Sequence, residues 1–279
     1  MKTLTQGLFT GERALFNSQG LRIYDSTFAD GESPLKESSD IELYSSIFKW
    51  KYPLWYCSDI KVFDSVLLES ARSGIWYTKN ITMENCVIEA PKTFRRSSQI
   101  RLSAVNMPNA KETLWNCSDV TMRDVSVAGD YFGMGASSIR AEGLTIDGNY
   151  AFDGGKDIEI KNSKLISKDA FWNCENVTVT DSVIIGEYLG WNSKNITFIN
   201  CTIESNQGMC YMDGVKLVNC KLLNTDLAFE FSTVDADVIS EIDSVKNPIS
   251  AKIRAKAIRE IILEPTQINP EKTEIITEK

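Results

Sequence analysis

One pattern recurs along the chain and limits its fold more than any other feature. The segment Leu54-Trp55-Tyr56-Cys57-Ser58-Asp59-Ile60-Lys61-Val62 returns as Leu114-Trp115-Asn116-Cys117-Ser118-Asp119-Val120-Thr121-Met122, and again as Phe171-Trp172-Asn173-Cys174-Glu175-Asn176-Val177-Thr178-Val179. The first apolar residue of each copy gives the series Leu21, Ile41, Ile60, Ile81, Ile100, Val120, Ile139, Ile158, Val177, Ile196 and Val215, which Val234 and Ile253 continue in steps of 19 to 21 residues. A fixed short period marks a solenoid, because one such repeat cannot bury its apolar face without a neighbour stacked on it.

Around each anchor the alternation has period two. Ile60 and Val62 are apolar with Lys61 between them, as are Val120 and Met122 around Thr121 and Val177 and Val179 around Thr178. That pattern is a strand with one dry side and one wet side. Asp or Asn stands before the anchor at Asp40, Asp59, Asn80, Asp119, Asp157, Asn176 and Asn195, and after the strand at Asp25, Asp64, Asn85, Asp124, Asn162, Asp181, Asn200 and Asn219. These residues tolerate the left-handed backbone of a sharp corner. A second short apolar strand follows, and a third, holding the Leu-Trp pair, is expected before the next anchor.

The predicted fold is therefore all-β: a right-handed parallel β-helix of about thirteen coils, since parallel crossovers are overwhelmingly right-handed. A leucine-rich repeat would need leucine where Cys, Ser or Thr stand here, and a helical flank. A left-handed hexapeptide helix would need a strict six-residue motif that the chain lacks. The expected organisation is an N-terminal cap at 1–14, one β-helix domain at 15–264 and a tail at 265–279.

Composition narrows the function. A net charge of −8 opposes a phosphate-binding surface, so neither nucleic acid nor an anionic membrane is an expected partner. The opening residues lack an apolar signal core, and no run approaches a membrane-spanning length, so the chain is read as cytoplasmic. There is no histidine, which removes the commonest general base and zinc ligand. No cofactor and no metal site are expected. The seven cysteines form no C-x-x-C pair and are read as reduced packing residues.

The ordered set Gly11-Glu12-Arg13-Ala14-Leu15-Phe16, Tyr52-Pro53-Leu54-Trp55, Gly74-Ile75-Trp76-Tyr77, Asp169-Ala170-Phe171-Trp172-Asn173, Gly186-Glu187-Tyr188-Leu189-Gly190-Trp191 and Ser244-Val245-Lys246-Asn247-Pro248 resembles the bacterial domain-of-unknown-function family 3737. The resemblance implies a single-stranded right-handed β-helix, similar in architecture to pectin lyases. It carries over no catalytic residue.

Two constellations could carry function. Trp55, Trp76, Trp115, Trp172 and Trp191 each lie five residues before an anchor, and Arg95 holds the same place between two of them. The residue before most of them is apolar, so alternation turns the tryptophans outward into a column. Tyr56, Tyr77, Asn116 and Asn173 run beside it. Aromatic faces among amides and hydroxyls suit an extended saccharide, and the same face could instead join copies of the chain, leaving it a monomer or a homo-oligomer. Asp153, Asp169 and Glu187 are the candidate catalytic carboxylates, since a lyase or glycoside hydrolase would need such acids near its substrate. The leading reading is saccharide binding without catalysis; the alternatives are a polysaccharide-degrading enzyme and a scaffold.

Overall fold

The computed structural model describes residues 1–278, and the chain forms a parallel β-solenoid. It divides into two compact units, Met1–Thr145 and Ile146–Lys279. Among the described residues the first unit carries eight principal rungs, at Lys2–Thr5, Gln19–Tyr24, Ser39–Tyr44, Ser58–Phe63, Lys79–Glu84, Ser98–Ser103, Ser118–Arg123 and Ser137–Glu142. The second carries seven, at Lys156–Lys161, Glu175–Thr180, Lys194–Ile199, Asp213–Leu223, Thr233–Val238, Ser250–Ala255 and Thr273–Thr277. The two rungs beyond the expected thirteen are built from the segments read as cap and tail, and Lys279 lies outside the described residues.

Register follows the anchors. Leu21 pairs with Ile41, Ile41 with Ile60, Ile60 with Ile81, and in the second unit Ile158 with Val177 and Val177 with Ile196. Like therefore sits on like, and each anchor is buried against the next. Full burial of such a side chain is worth about 2 kcal/mol. The short second strands stack in the same way, with the Phe28 ring 5.0 Å from Phe9 and 4.5 Å from Phe48. Register is irregular near the end of the second unit: it shifts between Leu217 and Cys220, which pair with Ala236 and Val238, and one rung on Val234 pairs with Ala251 while Ile253 pairs with Ala236. Ile253 thus lies inside the strand, two residues past the anchor place, because the preceding turn is shorter.

The small residues at the corners have a specific task. A corner exposes backbone amides to the dry interior, where an unmade hydrogen bond is costly. Ser38, Thr78, Ser97, Ser193 and Ser232 accept from the amides of Ser18, Cys57, Thr78, Cys174 and Met212 one rung away. The same hydroxyls donate onward to carbonyls, as Ser193 does to Phe171 at 2.6 Å. A thiol donates more weakly, and Cys57 and Cys174 reach the carbonyls of Leu35 and Phe152 at 3.1 and 3.0 Å. All seven cysteines are buried and free. Burial pushes Cys57, Cys117 and Cys174 up to about 12.

The third side of the coil departs from expectation. A strand forms there at Ile75–Trp76 and Phe94–Arg95, and toward the end of the second unit at Glu241–Lys246, where Val245 bridges Ala228 and the strand pairs with Ala257–Ile262. Elsewhere the segment is a run of turns, because Leu114, Phe152, Phe171 and Phe229 adopt positive φ and bend the backbone out of the extended region.

Candidate functional site

The tryptophan column sits on this third side. Leu54, Ile75, Leu114 and Phe171 point into the core with no exposed surface, which sends the following tryptophan to the outer wall. Each of the five indoles is then fixed from its edge. Nε1 of Trp55, Trp76, Trp115, Trp172 and Trp191 donates to the carbonyls of Ser73, Lys92, Tyr131, Tyr188 and Gln207, at 2.5, 2.8, 2.8, 2.7 and 2.7 Å. One hydrogen bond per ring holds it half-buried against the next turn.

In the first unit the ring faces are turned on one another. Trp55 and Trp76 are stacked at 5.1 Å and 8°. The Arg95 guanidinium lies 4.6 Å from the ring centre of Trp76 and 4.6 Å from that of Trp115, a cation between two π faces. Its Nη2 is 3.5 Å from Glu112, which Lys92 also holds at 3.0 Å. Nε and Nη2 of Arg95 are buried without a hydrogen-bond acceptor. Beside the column, Tyr56 and Tyr77 stack at 4.7 Å and 6°, and Tyr56 is 50% exposed. Asn116 is exposed in the same file. A β-carbon at Gly135 would come within 2.5 Å of its Oδ1, so the glycine, at φ +65, leaves room for the amide.

In the second unit Trp172 and Trp191 are parallel at 5.8 Å and 9°. Their other ring contacts are edge-on, from Tyr150 at 6.0 Å, Tyr188 at 5.1 Å and Tyr211 at 5.1 Å. Asn173 donates to Asp153 at 2.8 Å, and Glu187 is tied to Lys168 at 3.4 Å. Asp169 is 2% exposed and its Oδ1 has no hydrogen-bond partner. Burial pushes its carboxyl above the ordinary range, against the pull of Lys168 and of a hydrogen bond from Tyr150. The three carboxylates therefore stand in different conditions: Asp153 engaged by an amide, Glu187 by an ammonium, and Asp169 closed off.

A sugar that stacks on an indole needs an open face. The column spends many of its faces internally and shows solvent its ring edges, with the hydroxyls and amides of the neighbouring file beside them. Sequence reasoning placed the rings outward but left out two participants. Tyr150, which meets both Trp172 and Asp169, stands eight residues before Ile158, the place that Asp169 holds before Val177 and Tyr188 before Ile196. Trp50, the sixth tryptophan, falls after the short strand Ile47–Phe48 and stacks on no ring among the described residues; its flanking lysines, Lys49 and Lys51, are the available signal.

A family model described as "Protein of unknown function (DUF3737)" matches residues 2–276. No curated protein matches the chain. Among solved structures, a tailspike protein of E. coli bacteriophage HK620 in complex with pentasaccharide is similar over 95% of this chain and 71% of that one, at 10% identity and a TM-score of 0.40. The periplasmic alginate epimerase AlgG aligns over 98% and 76%, at 11% identity and 0.35. PfbA, a surface adhesin of Streptococcus pneumoniae, aligns over 92% and 71%, at 10% identity and 0.34.

Proposed function

The chain belongs to the DUF3737 family, and from that premise we propose that it recognises an extended saccharide along its outer wall without carrying out chemistry on it. One observation carries the reading: hydrogen-bonding side chains repeat at rung spacing beside a wall of locked rings, seen best where Tyr56 and Tyr77 stack in parallel at 4.7 Å. A polymer whose hydroxyls repeat along its length can meet such a file again and again, each contact adding little and the series adding up. Asn116 extends the file in the first unit, and Asn173 belongs to its counterpart in the second.

The rings have a supporting role in this reading. Trp55, Trp76, Trp115, Trp172 and Trp191, with Arg95 wedged among them, keep the wall from rearranging, so little ordering cost falls on binding. Asp153, Asp169 and Glu187 are assigned to the wall rather than to catalysis, since an acid as enclosed as Asp169 has no path to a substrate oxygen.

A glycan array probed with the full chain and with the Tyr56→Ala/Tyr77→Ala double variant tests this. Binding of linear glycans that falls roughly thirtyfold in the variant, as loss of two contacts of about 1 kcal/mol each requires, supports the reading. An array without any hit, or hits indifferent to the variant, overturns it. A chain that dimerises through the tyrosine file, detected by light scattering and abolished by the same variant, also overturns it.

A further inference from the structure

The five column tryptophans and Trp50 have the same side chain in opposite circumstances. Every column indole has its Nε1 bonded to a backbone carbonyl and at least one face or edge against another ring or Arg95. Trp50 has neither. It is 39% exposed, and the Lys51 ammonium lies 5.4 Å from its ring centre. An indole left with exposed surface beside polar and charged groups offers an apolar platform with a wet edge.

Around it lies a cleft of ≈ 340 Å³ lined by Trp50, Lys51, Glu69, Ser70, Arg72 and Pro91. The short 3-10 turn Glu69–Ala71 forms one wall and sets Arg72 at its end. Two cations and one carboxylate leave the cleft net positive in a chain whose charge is −8. Lys51 is already paired with Glu32, at 3.2 Å. Arg72, by contrast, makes no side-chain hydrogen bond or ion pair among the described residues, and it is exposed. A guanidinium offers a rigid fork of N–H donors that fits a carboxylate in two-point fashion. Ser70 donates to the Lys49 carbonyl at 2.5 Å, which leaves its oxygen free to accept. Glu69 adds a second acceptor.

The geometry points to a binding site for one carboxylate-bearing pyranose, a hexuronate unit, with its C–H face on Trp50, its carboxylate on Arg72, and its hydroxyls donating to Glu69 and Ser70. An indole for the apolar face, a fork for the charge and two acceptors for hydroxyls are the complement of that ligand and of no simple apolar one. The cleft is about the size for one sugar ring rather than a chain. Its lining shares no residue with the tyrosine file.

The test is calorimetric titration of the full chain with a galacturonate trimer and, in parallel, with a neutral glucose trimer. Each is repeated on Trp50→Ala and Arg72→Gln, whose exposed positions leave the fold intact, as thermal melts will verify. The site is supported if the galacturonate trimer binds and each variant weakens it by roughly tenfold or more, while the Tyr56→Ala/Tyr77→Ala variant does not. It is overturned if the galacturonate trimer fails to bind, if both variants bind it as the parent does, or if the neutral trimer binds as tightly as the acid one. Because the tyrosine variant is included, failure here and failure of the file are read separately.

Discussion

The two tryptophan columns occupy the same position in the repeat and are held by the same Nε1 bond, yet they are closed in different ways. In the first unit parallel faces and a cation fill the column from Trp55 to Trp115. In the second, two parallel indoles are met from the side by tyrosines, with the enclosed Asp169 close by. The repeat dictates where a ring goes. What covers it depends on the neighbours that each turn supplies. The first column should therefore be the stiffer, and the second should carry the pH dependence.

Removing a ring is the hardest blow to that contrast. Trp76→Ala takes away the stack with Trp55 and one face of the Arg95 clamp, and is expected to cost about 3 kcal/mol; Trp191→Ala is expected to cost about 2. Amide exchange followed by mass spectrometry should report each loss in its own unit. Equal losses would erase the distinction between the columns.

Arg95 sharpens the comparison. Arg95→Ala empties the slot between two indoles and is expected to cost about 2 kcal/mol, whereas Arg95→Met refills it and gives up only the long contact with Glu112, which Lys92 still holds, so the unfolding free energy from urea melts should change by less than about 1 kcal/mol. If Met were as damaging as Ala, the charge rather than the packing would be holding the column.

Asp169 supplies the pH effect. Its carboxyl is raised in the folded chain, so the folded state holds that proton more tightly than the unfolded state. The stabilisation is complete below the unfolded value of about 3.9 and is lost as pH rises through the folded value. Asp169→Asn should accordingly leave stability nearly unchanged at the acid end and raise it relative to the parent as pH climbs toward neutrality. Urea midpoints of parent and variant across that window check the sign; a variant that loses ground with rising pH contradicts it.

The smallest effect concerns the thiols. With Cys57, Cys117 and Cys174 pushed up to about 12 by burial, native chain should label with a thiol reagent only as fast as it opens, and at full rate in urea.

Much of this was legible beforehand for a physical reason. A buried file must repeat its apolar residues at the rung period, so anchors such as Ile60, Ile81 and Ile100 announce themselves, and a fully inward Leu54 or Leu114 forces the next side chain out. Side-chain direction is thus encoded locally. The partner of an outward face is not. Whether Trp76 meets Trp55, Arg95 or a sugar depends on how far consecutive turns are offset, and on the backbone carbonyl that the following turn offers to Nε1. The third strand was over-read because alternation of Leu114 with Trp115 looks the same in a strand and in a turn with Leu114 at positive φ. The shift at Ile253 came from a shortened turn, which leaves both candidate positions, Ala251 and Ile253, small or apolar. Trp50 escaped because it falls in a segment where spacing varies and the repeat makes no demand.

The central claim is that five indoles are locked into the wall and one is free. Hydrogen exchange of the six indole Nε1–H groups, followed in ¹H–¹⁵N spectra of the full chain, tests it without any ligand. The account predicts five slowly exchanging resonances and one, assigned through Trp50→Phe, that is lost at once on transfer to D₂O. Six resonances that exchange alike, or a protected Trp50 beside an unprotected column, would contradict it.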